Sequence, residues 1–235
     1  MTFIDVSYCK KITDAGLASF TGLTLPLTGI VFSGLSNISS LGLQQVVSTC
    51  TNTLIDLEAA FMSQETMKSD IFIKLGYCWN LEVIDVCGDK YIDDNAFINL
   101  QKAEKVVPDQ LKPINPGLTK LKVLKVGGCT ISETGFFNMC KVAPNIEHLE
   151  LTKVDVSDIA LKNIINSLTK LTFIDLSGVV AANYAFLDEL KTTRPNLLTK
   201  RYNIAEVDKK DNGLRVPRRV VEKKKKKKKG GKKKK

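Results

Sequence analysis

One aliphatic phrase, L-x-x-[LI]-x-[LVF], returns along nearly the whole chain, and its spacing constrains the fold more than any other feature. It reads LTGIVF from Leu27, LEVIDV from Leu81, LKVLKV from Leu121, IEHLEL from Ile146 and LTFIDL from Leu171. MTFIDV from Met1 fits with a weak first position, and LIDLEA from Leu54 with a weak last one. The starts at 1, 27, 54, 81, 121, 146 and 171 give steps of 26, 27, 27, 40, 25 and 25 residues. Such a period, about 20–29 residues with one short strand phrase in each, implies a stack of strand-plus-helix units. A unit of this kind buries its apolar face only against its neighbours, so one elongated domain is expected.

The unit LKVLKVGGCTISETGFFNMCKVAPN shows the expected anatomy. Leu121, Leu124 and Val126 point into the core, while Val123, Lys125 and Gly127 alternate outward as a strand requires. Cys129 and Ile131 follow in a turn. Ser132 is placed to cap a helix carrying Phe136, Phe137, Met139 and Cys140, and Pro144-Asn145 ends the unit. Thr13, Ser39 and Ser157 fall at comparable helix starts. The 40-residue step holds an insertion, 104–118, whose Pro108, Pro113 and Pro116 argue against helix. The chain opens directly on a repeat, which leaves a core edge for a partner or a preceding segment to cover.

Charge divides the chain sharply. Residues 209–235 hold 16 Lys+Arg and 2 Asp+Glu, or +14, and the remaining residues hold 19 and 23, or −4. The organisation expected is therefore a mildly acidic body, 1–207, and a lysine-rich basic tail, 208–235, whose like-charge blocks do not pack. The start, MTFIDVSYCKK, has no basic segment followed by an apolar run, so no signal peptide is expected. No stretch approaches the ~20 apolar residues of a membrane span. Six cysteines without a CxxC pair favour a reducing compartment.

The longer phrase L-x-x-L-x-L-x-x-C-x-x-I-T-D-x-G-L resembles the cysteine-containing leucine-rich repeats of F-box/LRR proteins and their F-box-less relatives. Cys9-Lys-Lys-Ile-Thr-Asp-Ala-Gly-Leu17 carries it best, and Cys129-Thr-Ile-Ser-Glu-Thr-Gly-Phe136 matches it one residue shorter. The resemblance covers about residues 1–200 and implies an α/β leucine-rich repeat solenoid of about seven repeats. Its parallel sheet would line a concave face and its helices the convex one. It also implies substrate recognition for a ubiquitin ligase, or a structural role in an assembly such as the ciliary dynein regulatory complex. The F-box is a separate N-terminal helical module that no segment here matches.

Catalytic and metal chemistry find little support. The chain has one histidine, His148, no paired cysteines and no GxSxG, HExxH or phosphate-loop motif, so no enzyme activity, metal or cofactor is expected. Cys9, Cys50, Cys78, Cys129 and Cys140 read as small buried hydrophobes, Cys87 as partly exposed, and His148 as a solvent-facing strand residue.

The outward strand positions are more informative. Stacked parallel strands align Asp5, Val31, Glu58, Asp85, Lys125, Glu150 and Asp175 in one column, and Phe3, Gly29, Asp56, Val83, Val123, His148 and Phe173 in the next. An acidic ridge with Lys125 relieving part of its repulsion would lie beside an apolar strip anchored by Phe3, Val83, Val123 and Phe173. That surface suits a basic, amphipathic protein partner. For the lysine run at 223–235 an acidic partner is expected: tubulin tails, nucleic acid or an anionic surface. The reading is a cytoplasmic interaction scaffold, with cytoskeletal, ciliary and nuclear placements left open.

Overall fold

The computed structural model describes residues 2–62, 67–103 and 117–202. Residues 104–116 of the expected insertion and the whole of the basic tail lie outside the described residues.

Each phrase forms a three-residue strand: β1 Phe3–Asp5, β2 Gly29–Val31, β3 Asp56–Glu58, β4 Val83–Asp85, β5 Val123–Lys125, β6 His148–Glu150 and β7 Phe173–Asp175. A further strand, β8 Leu198–Lys200, follows. All pair parallel in sequence order, in one sheet. Helices α1 Asp14–Leu17, α2 Ser40–Ser48, α3 Ile71–Leu75, α4 Asn95–Leu100, α5 Glu133–Val142, α6 Asp158–Ser167 and α7 Tyr184–Thr193 make the crossovers. The protein is thus an α/β repeat solenoid.

Among the described residues eight strands form where about seven repeats were expected, the eighth at the Leu197-Leu198 pair that the sequence offers as a last strand. Thr199 occupies the slot that Ile or Leu fills in the other strands, so the apolar pattern fades while the ladder continues. Leu198 N–H donates to the Thr172 carbonyl at 2.9 Å, and Leu176 N–H donates to that of Lys200 at 2.7 Å.

The core is the phrase repeated. Leu27, Leu54, Leu81, Leu121, Ile146 and Leu171 are buried, as are Ile30, Leu57, Ile84, Leu124, Leu149 and Ile174. Burying one such side chain fully stabilises the fold by about 1.5–3 kcal/mol. In α5 the structure corrects the expected apolar phrase: Phe136 is buried, whereas Phe137 is 62% exposed with the Lys141 ammonium 4.0 Å from its ring. The cysteines divide as well. Cys129 is buried and donates to the Val86 carbonyl of the preceding unit at 3.3 Å, but Cys9, in the first unit, is exposed. Cys140 is only half-buried.

Polar contacts cross each unit boundary on the helix side. Ser39 N–H donates to Asp14 Oδ1 at 2.8 Å, and the Ser69 hydroxyl donates to Asp93 Oδ1 at 2.6 Å. Further along, Ser132 N–H donates to Asp94 Oδ1 at 2.7 Å, and Ser157 N–H to Glu133 Oε1 at 3.3 Å. An acidic side chain of one unit thereby meets a donor of its neighbour.

Candidate functional site

The strand register places the two outward columns as the spacing predicts. Asp5, Val31, Glu58, Asp85, Lys125, Glu150 and Asp175 are successive partners across β1–β7, and Lys200 extends them. Phe3, Gly29, Asp56, Val83, Val123, His148, Phe173 and Leu198 form the parallel column two residues earlier. Val83, Val123 and Phe173 are half-buried, while Phe3 is 52% exposed with its ring lying over Gly29.

The carboxylates are not a uniform ridge. The Lys125 ammonium stands 3.0 Å from Asp85 Oδ2 and 4.0 Å from Glu150 Oε1. Burial pulls the Lys125 pKa down, but Asp85, Glu150 and Glu58 outweigh it and hold it above the ordinary lysine value. Asp175 is only 2% exposed, and Lys200 Nζ meets its Oδ2 at 2.6 Å. A side chain so enclosed is poorly placed to touch a partner, so Asp175 leaves the set of expected contact residues.

Asp5, Asp85 and Asp175 have a local duty too. Each accepts the backbone N–H two residues on, from Ser7, Cys87 and Ser177, at 3.0, 3.1 and 2.9 Å. This Asx turn steers the chain out of the strand. The bond to Ser7 holds the exposed Asp5 carboxyl below the usual aspartate range.

His148 also departs from its expected solvent-facing role. It is half-buried, its ring stacks on Phe173 at 4.3 Å, and its Nε2 lies 2.9 Å from Glu150 Oε1. Burial pushes the thiols of Cys50 and Cys140 up to about 11 and that of Cys87 to about 12, and it raises Cys78 and Cys129 as well. These five thiols stay protonated at neutral pH, and the thiolate is the nucleophilic form. Among the described residues no group of three or more His, Cys, Asp or Glu is placed to hold a metal ion. No helix among them is long and apolar enough to cross a membrane.

One slot escaped the sequence reading. Just beyond the strands, Tyr8, Gly34, Phe61, Gly88, Gly128, Lys153 and Gly178 all have positive φ, between 54° and 84°. Four are glycine, which adopts this conformation freely. For Tyr8, Phe61 and Lys153 it costs about 1–2 kcal/mol each. Reading down the slot as a column would have revealed it, because glycine recurs at a fixed distance from the phrase.

A parallel sheet of repeated units, flanked on one side by their helices, defines the class: a repeat solenoid. No family model matches the sequence, and no curated protein matches it significantly. Among solved structures it is similar to a chain from the crystal structure of the Rad7 and Elc1 complex in yeast. That match has a TM-score of 0.46 and 14% identity, and it covers 84% of this chain and 61% of that one.

Proposed function

We infer that this chain is a non-catalytic interaction scaffold whose partner protein docks on the outward face of the sheet. The observation that carries this reading is the alignment of the columns. Side chains far apart in sequence stand side by side on neighbouring strands, giving a band of apolar groups, Val83, Val123 and Phe173, edged by the charges of Asp85, Lys125 and Glu150. Half-buried apolar groups rimmed by charge are the composition of a protein interface. The paired charges confer specificity on such a surface more than affinity.

The finer reading is that the repeats are of the cysteine-containing leucine-rich type, with the chain acting as a subunit of a larger assembly. The phrase from Cys9 to Leu17 supports it, and so does the bond from the Cys129 thiol to the preceding unit, which gives that slot a reason to hold a small weak donor. Substrate recognition for a ubiquitin ligase is the specific alternative.

The ion pairs change which variant tests the reading. Reversing Asp85 and Glu150 would strand Lys125 between two cations, so the apolar band is the better target. Val83→Lys with Val123→Lys should melt within a few degrees of the parent. It should lose the proteins that the parent recovers reproducibly by affinity purification and mass spectrometry. Identical recovery by both chains would remove the outward face as the docking surface. A ubiquitin-ligase adaptor among the lost proteins would favour the ligase alternative.

A further inference from the structure

We propose that Tyr8 and Phe61, with Asp5 at the end of the strand that precedes Tyr8, form a docking strip for a proline-rich segment that adopts the polyproline-II conformation and carries a basic residue. This refines the scaffold reading and rests on it, naming the chemistry of one partner segment.

The starting observation is a backbone cost that burial of the side chain does not offset. Tyr8 and Phe61 take φ of 59° and 54° in a slot that holds glycine in four other units. Bulky residues in this conformation are outliers that the surrounding structure must hold in place, and they cluster at binding sites. Burial does not compensate, because Tyr8 is 65% and Phe61 64% exposed.

Each ring is nevertheless held in place. A Cβ added to Gly34 would stand 2.3 Å from Tyr8 Cε1, and one added to Gly88 would stand 2.4 Å from Phe61 Cδ1. The two rings therefore lie against the glycine of the following unit, and both remain largely open to solvent. Two fixed aromatic platforms result.

Their separation selects the guest. The parallel ladder runs on through the slot: Tyr8 N–H donates to Ser33 O at 2.9 Å, Gly34 N–H to Ala60 O at 2.9 Å and Phe61 N–H to Cys87 O at 2.8 Å. Tyr8 and Phe61 are thus two strand spacings apart, about 9.6 Å at ~4.8 Å each. A polyproline-II helix advances ~3.1 Å per residue with three residues per turn, so residues i and i+3 share a face about 9.3 Å apart. An extended strand repeats its face every two residues, at about 6.7 or 13 Å, and misses the second platform. Aromatic platforms are a recurrent means of recognising polyproline-II segments.

Charge supplies the second half of the recognition. Asp5 is exposed and forms no ion pair among the described residues, unlike Asp85 and Asp175 with their lysines. It can receive a guanidinium or ammonium from the guest. Lys10, Lys11 and Lys90 are exposed on the turn side, so the cation of the guest is directed toward Asp5 on the sheet side. In the same slot farther along, Lys153 lies over Gly178 and closes the strip to a basic guest at that end.

The test uses the full chain and a fluorescein-labelled decaproline with one N-terminal arginine. The parent should bind this probe saturably, and should not bind a glycine-serine peptide of the same length and charge. Tyr8→Gly with Phe61→Gly installs the residue that other units already carry, so it should melt at or above the parent yet bind at least about tenfold more weakly. Asp5→Asn should weaken binding severalfold and remove most of its salt dependence. Tyr8→Asn with Phe61→Asn serves if the glycine pair folds poorly, because Asn tolerates positive φ. Equal binding by parent and ring-deleted chains overturns the strip, as does no binding of the probe at millimolar concentration. If partner recovery still depends on Val83 and Val123 while the proline probe fails, the strip falls and the scaffold reading stands.

Discussion

The two ends of the solenoid solve the same packing problem differently. In the C-terminal part α5, α6 and α7 run ten residues each, and Ser132, Ser157 and Asn183 cap them with their own side chains. In the N-terminal part α2, capped by Ser39, runs nine residues, but α1, α3 and α4 run four, five and six, and Thr13, Asp70 and Asp94 make no cap bond to their own helices. Asp70 reaches instead to Ser40 and to Gln44 Nε2, the latter at 3.0 Å, and Asp94 takes the Ser132 hydroxyl at 2.5 Å. At the starts of α3 and α4 the carboxylate thus holds the adjacent unit and leaves its own helix without a side-chain cap.

Buried acids sharpen the contrast. Asp175, in the C-terminal part, has Lys200 at 2.6 Å. Asp89, 3% exposed in the N-terminal part, takes Met62 N–H on Oδ1 at 2.8 Å, and its buried Oδ2 meets no donor among the described residues. Burial is the chief cause that pushes the Asp89 carboxyl up from 3.8 to about 7, and Asp85 adds to it. A folded-state value above the unfolded one means that the native state holds the extra proton between those limits. Its stability contribution is therefore full below 3.8 and falls as pH rises toward 7. The decline amounts to at most about 4 kcal/mol at 1.36 kcal/mol per unit. Chemical denaturation of Asp89→Asn across this range should lack that decline, so the variant gains on the parent as pH rises. A constant difference between the two chains would show that Asp89 does not titrate there.

The next effect concerns the core column. Leu149→Ala, in the middle of the sheet, should cost about 3 kcal/mol through lost burial and the cavity left behind. Ile4→Ala, in the equivalent slot of the half-covered first strand, should cost about 1 kcal/mol in the same urea titration. Equal losses would mean that the first unit is as tightly packed as the sixth. The smallest effect separates two glycines of one slot. Gly34→Ala meets both φ of +71° and the Tyr8 ring and should cost about 2 kcal/mol, measured by thermal unfolding. Gly128→Ala, at φ of +75° with nothing nearer than 3.5 Å, should cost about 1 kcal/mol.

Much of this architecture could be read in the sequence because the position of each residue within the repeated phrase, and not the length of the crossover, fixes register. Once the phrase starts at 121, 146 and 171, Lys125, Glu150 and Asp175 must align, and they do. Features that broke the pattern were not legible. Leu197 and Leu198 suggest a last strand, but β8 carries Thr199 where aliphatics mark its siblings, so Lys200 and its claim on Asp175 went unseen. The left-handed slot was legible from its four glycines, but not that Tyr8, Phe61 and Lys153 adopt the same conformation in the other three units. Burial of Cys9 was expected from its motif, but Cys9 is exposed while Cys129 in the same slot is buried against Val86.

The seam between β4 and β5 has a practical consequence. Forty residues separate their starting phrases, yet Val83, Ile84 and Asp85 pair with Val123, Leu124 and Lys125 as in every other step. Gly88 N–H donates to Gly127 O at 2.7 Å, and Lys120 Nζ meets Asn80 Oδ1 at 2.6 Å across the same boundary. Docking at this junction is thus insulated from the length of the peptide that leaves at Ala103 and returns at Gly117. Residues added between Ala103 and Gly117 should leave this pairing intact, with both flanking halves still gripping each other.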